Sequence, residues 1–182
     1  MDREQALIML GFFGSTHTGP DRYALDVLTA VLSGMAGRLF QAVREEHGLS
    51  YTLGAVHLPG WDPGYLLVYA ATRPNEQDKV LEVLNEQLQL AVDKGFAGEE
   101  VSQAKRYLIG VYRMDIQDLV GLAKRSALDE LYGLGFDAWK TYEDKINAVT
   151  APMVHEAAKH YVTMNRRAQI VVSPNGHPQN NP

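Results

Sequence analysis

The sequence predicts an α+β fold built in two layers. Three observations carry that expectation. Mostly apolar runs near both ends of the chain, residues 5–13 and 168–173, read as strands. Two more strand-like runs, residues 51–58 and 64–72, flank the turn-rich connection Pro59-Gly-Trp-Asp-Pro-Gly64, which has the chemistry of a hairpin. Amphipathic helical stripes follow each sheet segment.

The elements follow in order. Residues 5–13 (Gln-Ala-Leu-Ile-Met-Leu-Gly-Phe-Phe) suit a strand covered on at least one face. A polar turn over residues 14–19 leads to Pro20, well placed to start a helix in which Tyr23, Val27, Ala30 and Val31 recur at helical spacing. After the hairpin, whose second strand is apolar on both faces and therefore expected at the centre of the sheet, the chain turns helical. Val80, Val83, Leu84, Leu88, Ala91 and Val92 form a long stripe that stops at Lys94-Gly95, a C-terminal cap. Glu99 and Glu100 mark the first turn of the next helix, with the stripe Val101, Ala104, Leu108, Val111 and Tyr112. A third helix spans residues 120–132 and ends at Gly133. Shorter helices are predicted over 138–147 and 151–162, the latter capped by Thr150 with Pro152 in its first turn. One domain is expected over residues 1–174, with residues 175–182, rich in Asn, Pro and Gly, as a disordered tail.

The bulk numbers narrow the function classes. The 182 residues suffice for one domain with a substantial core; 46% are hydrophobic and 21% charged, as in ordinary globular proteins. A net charge of −5 gives no basic footprint for nucleic acid, and no apolar run approaches a membrane span. With zero cysteines, disulfides, thiolate nucleophiles and Cys-based zinc sites drop out together. No leader pattern precedes the first strand-like run, although structure lying so close to both ends is also what a piece cut from a longer chain would show.

The stretch on which function converges is residues 34–51, Gly-Met-Ala-Gly-Arg-Leu-Phe-Gln-Ala-Val-Arg-Glu-Glu-His-Gly-Leu-Ser-Tyr. Two glycines open it, a helical run follows, and Gly48 closes that run before a strand. At about 100° per residue, Leu39, Phe40 and Val43 share one face, while Arg38, Gln41 and Glu45 share the other. Arg44 falls in the last turn, where the helix dipole favours a cation. The reversal at Gly48 allows Arg44 and Tyr51 to project to one side. A planar five-donor fork beside a phenol suits a peptide carbonyl or a carboxylate.

Gly34, Gly37, Arg38, Leu39, Phe40, Arg44, Gly48, Leu49 and Tyr51 together resemble the segment found in the C-terminal, zinc-free half of the pitrilysin/insulinase-type (inverzincin) zinc metallopeptidases and in the related mitochondrial processing peptidase subunits. The likeness extends more loosely from the opening strand, ending near Gly14, to the closing strand at Ser173-Pro174. It implies an antiparallel-rich sheet backed by helices on one face, in domains that pair face to face. It also implies that a homologous zinc-bearing domain or subunit supplies an inverted His-x-x-Glu-His helix with a further acidic ligand, and that zinc there polarises the scissile carbonyl and activates water. On this chain, Arg44 and Tyr51 would be substrate-binding residues holding peptide carbonyls near the cleaved bond. The chain itself would bind no metal, carry no catalytic residue and be inactive alone. The alternative is a non-catalytic scaffold or interaction subunit of the same fold, like the core subunits of respiratory complexes.

Other constellations read as ordinary structure. His155 and His160 lie at i and i+5, which sets their rings about 140° apart on a helix, whereas helical zinc pairs use i and i+4. Neither His-Glu-x-x-His nor His-x-x-Glu-His occurs. His17, His47, His57 and His177 pair with no carboxylate at a recognised spacing, and Ser15, Ser33 and Ser50 lack the setting of a serine nucleophile. Gly34-Met-Ala-Gly37 has no phosphate-loop ending, so close backbone packing or positive φ is expected there. Arg38 reads as a surface or partner-contact residue. Trp61, at the hairpin tip, reads either as an interface aromatic or as packed under its own loop.

Overall fold

The computed structural model describes residues 5–34 and 37–174, the side chain of Tyr51 excepted; the predicted tail, residues 175–182, lies outside the described residues. Strand β1 (Ala6–Phe13) alternates strictly, with Ala6, Ile8, Leu10 and Phe12 buried and the intervening side chains on the other face. Strands β2 (Ser50–Leu58) and β3 (Tyr65–Thr72) form the hairpin, and β4 (Ala168–Val172) closes the chain. All pair antiparallel in the order β2-β3-β1-β4, which puts β3 inside the sheet, as its apolar character predicts. The register sets Ile8 opposite Ala70, Leu10 opposite Val68 and Phe12 opposite Leu66, so the inward pairs grow in size toward the hairpin end of the sheet.

Among the described residues helices cover only that inward face, so burial alternates along β1 and β3 although both strands are apolar on both faces. Helix α1 (Arg22–Ser33) packs against β2 and is itself covered, so that Leu25, Val27, Leu28, Val31 and Leu32 are all buried. Its burial extends around most of the helix, as expected of an element enclosed on several sides. Helices α2 (Gln77–Lys94) and α3 (Gly98–Asp115) carry the predicted stripes inward, except that Val111 of α3 is exposed. The first ends at Gly95, where φ is 66° and a Cβ would lie 2.7 Å from the ring of His155; both the backbone and the neighbour require glycine. Helix α4 (Leu119–Leu131) begins at Asp118, whose carboxylate accepts from the Gly121 N–H.

The predicted helix over 138–147 is two pieces. A 3₁₀ turn (Ala138–Thr141) precedes α5 (Tyr142–Ala148), and Tyr142 stacks on Tyr112 of α3 at 4.1 Å. Helix α6 (Ala151–Tyr161) is capped by Thr150 and has Pro152 in its first turn, as predicted. Strand β4 is a sheet edge, with Ile170, Val171 and Val172 between 40% and 54% exposed.

Candidate functional site

The turn between α1 and the next helical segment depends on Gly37. A Cβ there would come within 2.8 Å of backbone atoms of Leu32 and Gly34, so close packing explains this glycine. Positive φ, the other expectation, belongs to Gly48, Gly95, Gly133 and Gly135 among the described residues.

The helical run that follows is a π-helix, Phe40–Glu46. Such turns are rare, and they recur at functional sites. The Leu49 N–H reaches back to the Val43 carbonyl at 2.9 Å, while the Gly48 N–H bonds to that of Arg44 at 2.9 Å. The widened turn changes the wheel drawn at 100° per residue. Leu39, Ala42 and Val43 are buried, whereas Phe40 is only half-buried and lies under Arg44.

Arg38, expected at the surface, is engaged within the chain: its Nε donates to Glu100 Oε1 at 2.6 Å and a terminal nitrogen to Oε2 at 2.8 Å, which leaves the side chain 23% exposed. The guanidinium also covers the Phe96 ring, 4.5 Å from its centre. Hydrogen bonding from Arg38 holds the Glu100 carboxyl below its ordinary range against the opposing effect of burial, and the Ala97 N–H adds to it.

Arg44 occupies the last turn, as predicted. Its side chain is 37% exposed, its guanidinium sits 4.7 Å from the Phe40 ring centre, and its Nε lies 3.9 Å from Glu45 Oε1. The aromatic face restricts where this long side chain can go. Past Gly48, with φ 63°, the chain enters β2. Ser50 faces Thr72 and Thr52 faces Ala71, so Tyr51 is the extra residue of a β-bulge. The irregularity is pinned on both sides: Ser50 Oγ donates to Ala71 O at 2.6 Å and Thr72 Oγ1 to Leu49 O at 2.5 Å. The Tyr51 side chain lies outside the described residues, so the predicted convergence with Arg44 rests on the backbone path between them.

A second polar group was missed in the sequence. His57, whose side chain is fully buried, puts Nδ1 2.8 Å from Asp26 Oδ1 and Nε2 3.1 Å from Ser15 Oγ. No recognised sequence spacing marks this pair; α1 and β2 bring Asp26 to His57 across 31 positions of sequence. With Nδ1–H donating to Asp26, Nε2 accepts from Ser15. The order Ser–His–Asp is that of a hydrolytic triad, but Ser15 is only 3% exposed and leaves no approach for a carbonyl. The group ties the end of β1, β2 and α1 together.

Among the described residues no three His, Cys, Asp or Glu side chains converge to hold a metal. His155 Nε2 donates to the Val92 carbonyl at 2.8 Å, and His160 packs edge-on against Tyr161, so the two histidines serve separate neighbours. Trp61 is 66% exposed and leans edge-on against Tyr132, 5.8 Å away, which lies just beyond α4 and not in its own loop.

The family model described as the peptidase M16 inactive domain matches residues 1–108. The chain belongs to that family. It is 32% identical over 180 residues to the uncharacterized zinc protease YmxG of Bacillus subtilis, covering 96% of this chain and 43% of that protein. The chain thus spans less than half the length of this curated relative. Among solved structures, the M16 inactive domain from Pseudomonas fluorescens superposes with a TM-score of 0.83 at 21% identity, over 94% of this chain and 41% of that one. A chain of complex III2 from Candida albicans also gives 0.83, at 16% identity, over 94% and 43%. These likenesses bear out the α+β class and the resemblance drawn from residues 34–51.

Proposed function

We propose that this M16 inactive domain is the substrate-positioning half of a zinc-dependent metalloendopeptidase whose zinc is held by another domain or subunit. The observation that carries the reading is the pair of backbone irregularities around Gly48. A π-helix ends at Arg44's turn and a β-bulge falls on Tyr51, each a local departure from regular hydrogen bonding kept where two donors are needed. The Arg44 guanidinium and the Tyr51 hydroxyl donate to carbonyl oxygens of an extended peptide and hold it in register. When the two halves close and exclude water, these donors strengthen and favour the negative charge that develops on the carbonyl oxygen. Closure is needed for that effect, so the chain alone is inactive.

The test combines this chain with its zinc-bearing half and measures peptide cleavage. Arg44→Ala and Tyr51→Phe are each expected to lower turnover about 100-fold, the usual effect of losing one such donor. Turnover within about twofold of the parent for both variants removes the assigned role.

The fold shared with a chain of complex III2 favours a second reading, a scaffold subunit in which the same surfaces contact partner chains. A His-x-x-Glu-His segment in the adjoining sequence or in a co-encoded subunit supports the peptidase; its absence from both supports the scaffold.

A further inference from the structure

Leu49 joins the Arg44 turn to the bulge at Tyr51, and its backbone is held from two sides. Its N–H donates to the Val43 carbonyl at 2.9 Å, and its carbonyl accepts from Thr72 Oγ1 at 2.5 Å. Thr72 ends β3, so this one residue links the π-helix to the sheet. Ser50 follows, and its Oγ lies 2.6 Å from the Ala71 carbonyl and 3.0 Å from that of Thr52. A single hydroxyl hydrogen is shared between the two, so Ser50 reaches both across to β3 and past Tyr51 along its own strand. The hydroxyls of Ser50 and Thr72 thus cross the strand pair in opposite directions, at the point where its register slips.

Neither side chain is what packing alone asks for. The inward row of β3 runs Leu66, Val68, Ala70 and Thr72, all buried, with Thr72 as its one polar member. Thr72 is 3% exposed and Ser50 6%. Val has nearly the shape of Thr and Ala that of Ser, and neither carries a hydroxyl to be stripped of water. What both lack is a donor. A bulge leaves one residue outside the ladder, and a shift of its place by one position moves the intervening side chain to the other face of the sheet. A buried donor on each strand, each fitted to a carbonyl of the other, opposes that shift, because a displaced register leaves both hydroxyls without acceptors.

We infer that Ser50 and Thr72 are positioning residues for Tyr51: their two buried hydroxyls fix the bulge on that residue and, through Leu49, fix its offset from the Arg44 turn. The assignment rests on the peptide-positioning reading and deepens it by naming the groups that keep the two donors in register with each other. Neither hydroxyl touches the peptide; both act through the backbone. Donors aimed at a developing charge work because they are in place beforehand, and a misplacement of about 1 Å can cost about 100-fold in rate.

The test uses this chain combined with its zinc-bearing half and follows two readouts, peptide cleavage and the NMR signals of ring-labelled tyrosine. The signal that disappears in Tyr51→Phe is that of Tyr51, while those of Tyr69, Tyr112 and Tyr142 report that the fold is kept. Thr72→Val keeps the volume and removes the donor. It is expected to move the Tyr51 signal, leave the others in place and lower turnover about 10-fold. Thr72→Ser, which retains a hydroxyl, is expected to restore the signal and bring turnover to within about twofold of the parent. Ser50→Ala is expected to act as Thr72→Val does, and it carries the test should Thr72→Val not fold. In the Tyr51→Phe background neither substitution is expected to cost more than about threefold further, since the group they place is gone.

An unmoved Tyr51 signal, equal losses in Thr72→Val and Thr72→Ser, or an undiminished loss in the Tyr51→Phe background each overturns the assignment. A role in stability alone gives the last of these results. Failure of the underlying reading is told apart by Tyr51→Phe itself, which then cleaves within about twofold of the parent.

Discussion

Replacing Arg38 by Met keeps the apolar stem and removes the guanidinium that joins the start of the π-helical segment to the first turn of α3. In the structure both nitrogens of the fork engage both oxygens of Glu100, at 2.6 and 2.8 Å, with side-chain exposures of 23% and 33%. An exposed ion pair contributes roughly 0.2–1 kcal/mol, and a bidentate, partly sheltered one about 1–2 kcal/mol. Loss of the contact with Phe96 adds about 0.5 kcal/mol. Arg38→Met is therefore expected to destabilise by about 1.5–2.5 kcal/mol, which lowers Tm by about 3–10 °C in a domain of this size. Urea and thermal melts of the parent, Arg38→Met, Glu100→Gln and the double variant give the coupling energy directly. The pH dependence supplies a second check. The Glu100 carboxyl is held lower in the folded chain than its unfolded value of about 4.3, so the unfolded chain binds more protons in that window. The stabilisation is complete above about 4.3 and disappears as pH falls through the lower folded value. A coupling under about 0.3 kcal/mol, or one that persists undiminished at pH 2, would refute the tie and return Arg38 to the surface.

Other expectations follow from single positions. Gly95→Ala meets both a φ of 66° and the ring of His155, and is expected to cost about 2–3 kcal/mol in urea melts. Adding His155→Ala should restore only the contact part; complete restoration would show that the backbone conformation costs nothing. At Gly48 a Cβ would meet nothing within 4 Å, so only φ matters. Gly48→Val is expected to lose about 1–2 kcal/mol and Gly48→Asn clearly less, and equal losses would rule out the φ explanation. His57→Ala strips Ser15 Oγ and Asp26 of a buried partner and should cost about 2–4 kcal/mol; a loss under 0.5 kcal/mol means the Ser15–His57–Asp26 link carries no stability.

Much of the fold was legible because its signals are local. The apolar run over residues 5–13, the stripe from Val80 to Val92, Gly95 as a cap and Thr150 before Pro152 each declare an element within a few residues. The helix over 138–147 was placed but not its break before Tyr142, which is buried against Tyr112 of α3. In the candidate site, the position of Arg44 in a final turn was legible from Gly48. The widened turn over Phe40–Glu46 was not, since a 3.6-residue period was assumed where the hydrogen bonds run one residue longer.

By itself the sequence determined the α+β class, the hairpin and its central strand, and membership in a family of peptidase-like domains through the residues of 34–51. The tertiary structure alone decided who meets whom. Arg38 finds Glu100 62 positions away, and Ser15 finds His57 across 42. Periodicity reports which way a side chain faces along its own element. Which charge or carbonyl waits on the opposite element depends on how the layers pack, and that is fixed only when the whole core closes.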